Sequence, residues 1–271
     1  MQPSTRFDLH VHSTRSDGRF DTAEVLRRAA GKLDVVALTD HDLGPGVEPG
    51  VHRIGGHELR VIGGAEVSGL HEGQEFHLLV YFPGEVPPGF TAFCQARCQE
   101  RAVRYATAVE RIALPDLPPV DAEAERGDRA LTRLHLASAL VQAGHVPSRA
   151  HAFSRYLSAR LPIVPPLTLP FTEAIAAARR FGGLTSWAHP PIEAIDRYLP
   201  AFVAAGLQGV EALRPTVSGP HRRRLRAVAR RNGLYLTGGS DWHGWGDPDD
   251  FGLFRVEARE IRDFVDALLA A

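Results

Sequence analysis

The sequence predicts an α/β fold, a barrel-like domain of alternating strands and helices interrupted by a mainly helical insertion. Three observations lead there. Short apolar runs alternate with polar turns and helical patterns over the first ninety residues and again after residue 166, the alternation that builds a sheet covered by helices. Between these stretches the texture is helical, without evident strands. The 271 residues suffice for one large domain carrying an inserted subdomain. The expected organisation is therefore a discontinuous barrel, residues 1–90 and 166–271, around a helical subdomain of residues 91–165.

Each element has its own reason. Residues 7–11 read as a strand. Asp21-Thr22-Ala23-Glu24 has the spacing of a capping box and opens a helix through residue 30. Residues 35–39 form a buried apolar strand, 59–65 another and 76–81 a third. Residues 44–56 are rich in Gly and Pro and leave room for at most a short helix. A long helical pattern covers 92–113 and is broken by Pro115, Pro118 and Pro119. Leu134, Leu136, Ala139 and Leu140 make an apolar stripe that stops at Gly144. A further helix covers 150–157 before Pro162, Pro165 and Pro166. Thr172 is expected to cap a helix running to 181. Strands follow at 184–188, 209–213 and 234–237, with helices at 221–231 and 260–269.

Composition narrows the chemistry. A net charge of −1 argues against nucleic-acid binding through bulk charge. No apolar run approaches membrane-spanning length and the first residues lack an apolar signal core, so a cytoplasmic protein without membrane attachment is expected. No obligate protein partner is evident. Lys32 is the only lysine, which removes a Walker-type phosphate loop and disfavours Schiff-base catalysis. Cys94 and Cys98, four apart in a helical pattern, are too few for a four-thiolate zinc site and read as buried helix residues. Histidine is the abundant reactive type, with 13 in the chain.

Their placement is patterned. His10 and His12 lie two apart at the end of the first strand and project to the same side. Asp17 follows in the loop, His41 comes after the second strand between Asp40 and Asp42, and Glu66 ends the third. His77 lies in the fourth, His189 ends a later strand, and Asp241 and His243 follow the last. In a parallel βα barrel the C-terminal strand ends share one face, the active-site face. Imidazoles and carboxylates ligate zinc, manganese or iron, and nine of them exceed the need of one ion. Two or three divalent ions are the natural count.

The blocks Asp8-Leu9-His10-Val11-His12-Ser13, Ser16-Asp17-Gly18, Thr39-Asp40-His41-Asp42, Gly64-Ala65-Glu66-Val67-Ser68, Ala188-His189-Pro190 and Gly239-Ser240-Asp241-Trp242-His243 resemble the PHP (polymerase and histidinol phosphatase) family. They stand in the family's order and span nearly the whole chain. The insertion, with Leu131-Thr132-Arg133-Leu134-His135 at a helix start and Tyr156-Leu157 before a Pro-rich stretch, resembles the branch acting on nucleotides and oligonucleotides. The resemblance implies a distorted barrel of seven βα units and a trinuclear site. His10, His12, Glu66 and Asp241 would hold one ion. Glu66 would bridge to a second, completed by His77 and His189, and Asp17, His41 and His243 would hold a third.

The implied reaction is phosphate-ester hydrolysis by a metal-activated hydroxide, with Asp17, His41 and His243 nearest the chemistry and Asp40 orienting an imidazole. Phosphate recognition falls to arginine, with Arg133 and His135 as the leading candidates and Arg19, like Arg15, a lesser one. The phosphorylated substrate would be a nucleoside 3′,5′-bisphosphate losing its 3′-phosphate or a short 5′-phosphorylated oligonucleotide trimmed from that end. Alternatives are a histidinol-phosphate-type small-molecule phosphatase, a non-catalytic metal-stabilised module, and an amidohydrolase barrel, which Lys32 is badly placed to serve. The chain departs from the pattern at Arg160-Leu161-Pro162-Ile163-Val164 and at Leu213-Arg214-Pro215. The basic run 221–231 reads as a solvated helix face in preference to a nucleic-acid track.

Overall fold

The computed structural model describes residues 1–158 and 160–270. The barrel half begins with β1 (Arg6–Val11), α1 (Thr22–Ala29), β2 (Val35–Leu38), β3 (Gly50–Ile54), β4 (His57–His71) and β5 (Gln74–Phe82). The insertion comprises α2 (Pro88–Ile112), α3 (Ala122–Arg126), α4 (Arg133–Gln142) and α5 (Arg149–Ala152), the last running into a π-helical turn, Phe153–Leu157. The barrel resumes with α6 (Phe171–Arg180), β6 (Leu184–Trp187), α7 (Ile195–Ala204), β7 (Gly209–Leu213), α8 (Gly219–Arg231), β8 (Tyr235–Gly238), β9 (Val256–Glu257) and α9 (Arg262–Leu269).

All strands belong to one sheet, ordered β8-β7-β6-β5-β4-β2-β1-β9, with β3 hairpinned onto β4. The sheet nearly closes on itself. Just past β8, the Asp241 amide donates to the His10 carbonyl at 2.9 Å and the His12 amide to the Trp242 carbonyl at 3.0 Å. That seam needs Gly239, because a Cβ there would lie 2.4 Å from the backbone nitrogen of His10. The barrel wall thus has seven strands, β1, β2, β4, β5, β6, β7 and β8.

The wall is mixed in direction. β1, β2 and β4 run parallel, as do β6, β7 and β8, while β5 is antiparallel to both its neighbours. The sequence reading placed the site on the C-terminal ends of strands. β5 corrects this, since it joins β4 by a tight turn and presents His77 near its own N-terminal end, which reversed direction brings to the same rim. Glu66 is likewise interior to the 15-residue β4 instead of at its end.

A one-residue bulge in β1, between Asp8 and Val11, sets the inside of the barrel. Phe7 and Leu9 join Leu79, Tyr81, Leu213 and α9's Phe264 in an apolar plug. Across the bulge the inward-facing set changes, and His10 and His12 face the open mouth above. Outside the wall, α1 buries Val25, Leu26 and Ala29 against β2 and β4, and α6, α7 and α8 bury a larger cluster that includes Trp187 and Phe202.

The insertion has its own core, with Tyr105 and Ala108 of α2 against Leu136 and Leu140 of α4. The start of α2 belongs to the barrel, where Phe90 and Cys94 pack in the large outer cluster. Both cysteines are buried free thiols.

Several elements differ from expectation. Residues 50–54 are a strand, formed because the Gly55-Gly56 turn, both at positive φ, folds it back on β4. Thr172 lies within its helix, which starts at Phe171 after Pro170 with no side-chain cap. The helices α3 and α7 went unread, α3 for its five residues and α7 for its internal Pro200. In α8 the arginines face outward and two pair with acids, Arg224 with Asp196 and Arg226 with Glu260. Among the described residues no helix is long and apolar enough to cross a membrane.

Candidate metal centre

The barrel mouth gathers all nine sequence-predicted ligand residues. His10 and His12 each approach the same two carboxylates. His10 Nε2 and His12 Nε2 each lie 3.4 Å from Asp241 Oδ1, and they lie 3.4 and 3.3 Å from Glu66 Oε2. Ligands about 2.1 Å from a common ion stand about 3.4 Å apart, so each imidazole–carboxylate pair has the spacing of two donors to one ion, and His10, His12 and Glu66 form a mutually close set. The other Glu66 oxygen, Oε1, lies 3.1 Å from His77 Nδ1 and 3.0 Å from His189 Nε2, and those two nitrogens are 3.2 Å apart. Asp17 Oδ1 lies 3.1 Å from His243 Nε2 and 3.8 Å from His12 Nδ1. His41 stands between groups, its Nδ1 3.0 Å from Glu66 and its Nε2 3.7 Å from Asp17.

The donor set fits divalent cations on grounds of polar satisfaction. His10 Nε2, His12 Nε2, His41 Nδ1, Asp17 Oδ1 and Glu66 Oε2 are buried and have no hydrogen-bond partner among the described residues. Leaving one such atom unpaired costs about 1–3 kcal/mol, and shared cations would satisfy all five.

The imidazoles are held from behind. His10 Nδ1–H donates to Glu211 Oε1 at 2.9 Å, and Glu211 Oε2 accepts from the His189 amide at 2.9 Å. His243 Nδ1–H donates to the Asp241 carbonyl at 2.9 Å. His12 Nδ1 faces Ser16 Oγ at 3.3 Å, and that hydroxyl donates to Asp40 Oδ1 at 2.6 Å. Asp40 otherwise accepts from the Ser13 amide and hydroxyl. It therefore reaches an imidazole only through Ser16. His77 Nε2 faces Glu75 at 3.4 Å. Each arrangement leaves the opposite ring nitrogen facing the cluster, the usual device for fixing a metal-binding tautomer.

Electrostatics follow the same map. Burial disfavours charge on His10 and His12, but the surrounding carboxylates outweigh it, holding His10 well above the usual range and His12 up to about 10. Burial opposes ionisation of Asp17 and Glu66 too, yet the neighbouring imidazoles keep both well below the carboxylate range. Glu211 is pushed by burial up to about 7 despite His10. Two residues of the rim, His189 (φ 31°) and Asp241 (φ 58°), hold left-handed backbone, the kind of strain that collects where side chains must be aimed.

Substrate-side candidates are spread around this centre. Arg133 opens α4 with its guanidinium 3.6 Å from Glu75, beside a 370 Å³ cavity that Arg104 and Arg160 also line. Arg19 and His135 border a 560 Å³ cleft between the barrel rim and the insertion, which Asp17 also lines. His135 Nδ1 is committed to the Thr132 amide at 3.0 Å in a capping box, so its Nε2 alone is available. Arg15 is spent on the Gly44 carbonyl at 2.7 Å. The sequence reading missed Glu211 and Glu75 as supports for the imidazoles. A lone acid in the otherwise apolar run Gly209–Leu213 was the available signal for Glu211.

Comparison with known proteins bears on this geometry. The chain is 30% identical to a 5′-3′ exoribonuclease of Haemophilus influenzae, with 97% of each covered. It is 31% identical to a phosphoribosyl 1,2-cyclic phosphate 1,2-diphosphodiesterase of Eggerthella lenta, over 88% of this chain and 94% of that one. It is 29% identical to a 3′,5′-nucleoside bisphosphate phosphatase of Chromobacterium violaceum, over 89% and 88%. A solved structure from Bifidobacterium adolescentis, described as a metal-dependent phosphoesterase, superposes with a TM-score of 0.76 at 28% identity, covering 98% of this chain and 97% of its own. No protein-family model matches the chain.

Proposed function

Because the chain belongs to the PHP family of metal-dependent phosphoesterases, we propose that it hydrolyses phosphate esters of nucleotides, either the 3′-phosphate of nucleoside 3′,5′-bisphosphates or the 5′-terminal linkage of short oligonucleotides. The observation that carries the reading is the convergence of His10 and His12 on Glu66 and Asp241, with Glu66 turning its second oxygen to His77 and His189. In this reading those residues hold two divalent ions, and Asp17, His41 and His243 hold a third. Manganese, zinc and iron all suit such ligands. When bound, the ions supply Lewis acidity that deprotonates water near neutral pH and offsets charge on the phosphate.

The chain's own residues do the rest. Glu211, Ser16 and the Asp241 carbonyl keep the His10, His12 and His243 rings turned so that Nε2 faces inward. Arg133, beside Glu75, and Arg19 and His135 Nε2, on the cleft that Asp17 also lines, would draw and orient the phosphate. The plug below, with Leu9 and Tyr81, closes the barrel floor to water. Cys94 and Cys98 are both free thiols, as suits the cytoplasmic setting that forms part of the proposal.

The test is product analysis with manganese present. Adenosine 3′,5′-bisphosphate and a 5′-phosphorylated trinucleotide are supplied separately and the products resolved by mass. Phosphate and 5′-nucleotide from the first mean a mononucleotide phosphatase, and mononucleotides from the second mean an exonuclease. If neither changes, the nucleotide reading fails.

A further inference from the structure

Trp245 belongs to none of the hydrophobic clusters among the described residues. It stands two residues beyond His243 and remains 45% exposed, whereas Trp187 is fully buried and Trp242 stacks on Phe251 at 4.3 Å. No aromatic ring among the described residues packs against it. It is nevertheless held at two points. Its indole N–H donates to the Asp17 carbonyl at 2.7 Å, and the Arg149 guanidinium lies 4.7 Å from the ring centroid. The turn that presents it depends on Gly244, at φ 73°, where a Cβ would come within 2.8 Å of the Phe20 ring. An aromatic ring fixed by its edge and left in water is built to receive another flat group.

The ring lines the 560 Å³ cleft, opposite Leu134, His135 and Arg129 of the insertion, and Asp17 opens that cleft to the candidate metal centre. The volume falls within the range of small-molecule sites, about 300–1,000 Å³, and suits a single nucleotide unit. Resting on the nucleotide reading above, we propose that Trp245 is the platform on which a nucleobase of the substrate stacks, while Arg19 and Arg129, which border the same cleft, line the path of its phosphates. Stacking on an indole tolerates every base, so the site would recognise that a base is present without selecting which one.

The experiment compares two substrates with the same phosphates, adenosine 3′,5′-bisphosphate and its base-free ribose counterpart. These are given to the manganese-loaded wild type, Trp245→Ala and Trp245→Phe. The proposal expects the wild type to show a KM about ten-fold lower for the base-bearing substrate, a preference that Trp245→Ala loses and Trp245→Phe largely keeps. An equal preference in wild type and Trp245→Ala overturns it. A second readout needs no turnover: in metal-free wild type, adenosine 5′-monophosphate should quench tryptophan fluorescence saturably and ribose 5-phosphate should not. Base-dependent quenching without hydrolysis would sink the nucleotide reading and leave the stacking site standing. Hydrolysis with a base-indifferent KM and no quenching would do the reverse.

Discussion

At the scale of single residues, the site divides into atoms that face the cluster and atoms that aim them. His12→Ala and Asp241→Asn each remove a donor that faces the cluster and should lose bound metal and most activity. Metal content by plasma emission spectrometry checks this, and full activity in either variant contradicts the assignment. Glu211→Gln keeps the shape but weakens the acceptor behind His10, and a change of this kind lowers metal affinity about 10- to 100-fold. Metal titration should show that drop while the circular dichroism spectrum stays unchanged. A residue outside the site gives a pH prediction. The hydrogen bond and charge of Arg6 hold the Asp34 carboxyl below its ordinary range. Its contribution is therefore present above the ordinary carboxylate pKa and is lost as pH falls through the depressed folded value. Asp34→Asn should cost about 1 kcal/mol or less at pH 7, since the pair is half exposed, and urea melts of variant and wild type should converge in acid. The candidate ligands stood out in the sequence because His-x-His and Asp-x-His sit beside strand ends. Their supports were less so, because Glu211 acts through a contact 201 residues away that no local pattern reports, and Glu75 is one of several acids that stand close to a histidine in the chain.

At the scale of elements, the insertion is tied to the barrel through a buried ion pair. Arg101 of α2 donates from Nε to Asp42 at 2.5 Å and from Nη2 to Ser68 Oγ at 2.6 Å, and Asp42 also accepts from the Ser68 amide. Asp42 follows His41 directly, and Ser68 lies two residues after Glu66, so this bond carries the position of the insertion to two candidate ligands. Arg101→Met leaves Asp42 buried without its cation and should destabilise the protein by about 3–5 kcal/mol. Chemical denaturation measures this, and a loss under 1 kcal/mol would show the pair to be dispensable. Arg133→Ala, on α4, should raise KM for nucleotides with little change in bound metal, and an unchanged KM removes it from phosphate recognition. The longer elements were readable from periodicity and caps, as with α1 behind Asp21. The hairpin β3–β4 and the reversal of β5 were not, because strand direction and pairing depend on partners distant in sequence.

At the scale of the whole molecule, a nearly closed sheet puts residues from β1, β4, β5, and the loops after β2, β6 and β8 around one point, and an apolar plug sits beneath it. Ions that bind only this folded arrangement stabilise it by mass action, by about 2.7 kcal/mol at a hundredfold excess over Kd. Chelation should therefore lower the thermal midpoint by several degrees, and calorimetry would show it. The fold class was legible because alternation resumes after the insertion, and the order of the ligand blocks matched the rim. The paths by which substrate enters were not, since both cavities lie between barrel and insertion and exist only once the two have packed. The most direct test of the account is hydrolysis of adenosine 3′,5′-bisphosphate by chelated protein as manganese is titrated back. The account predicts no release of phosphate from the chelated protein and recovery that saturates at two to three ions per chain. Undiminished hydrolysis by the chelated protein would contradict it.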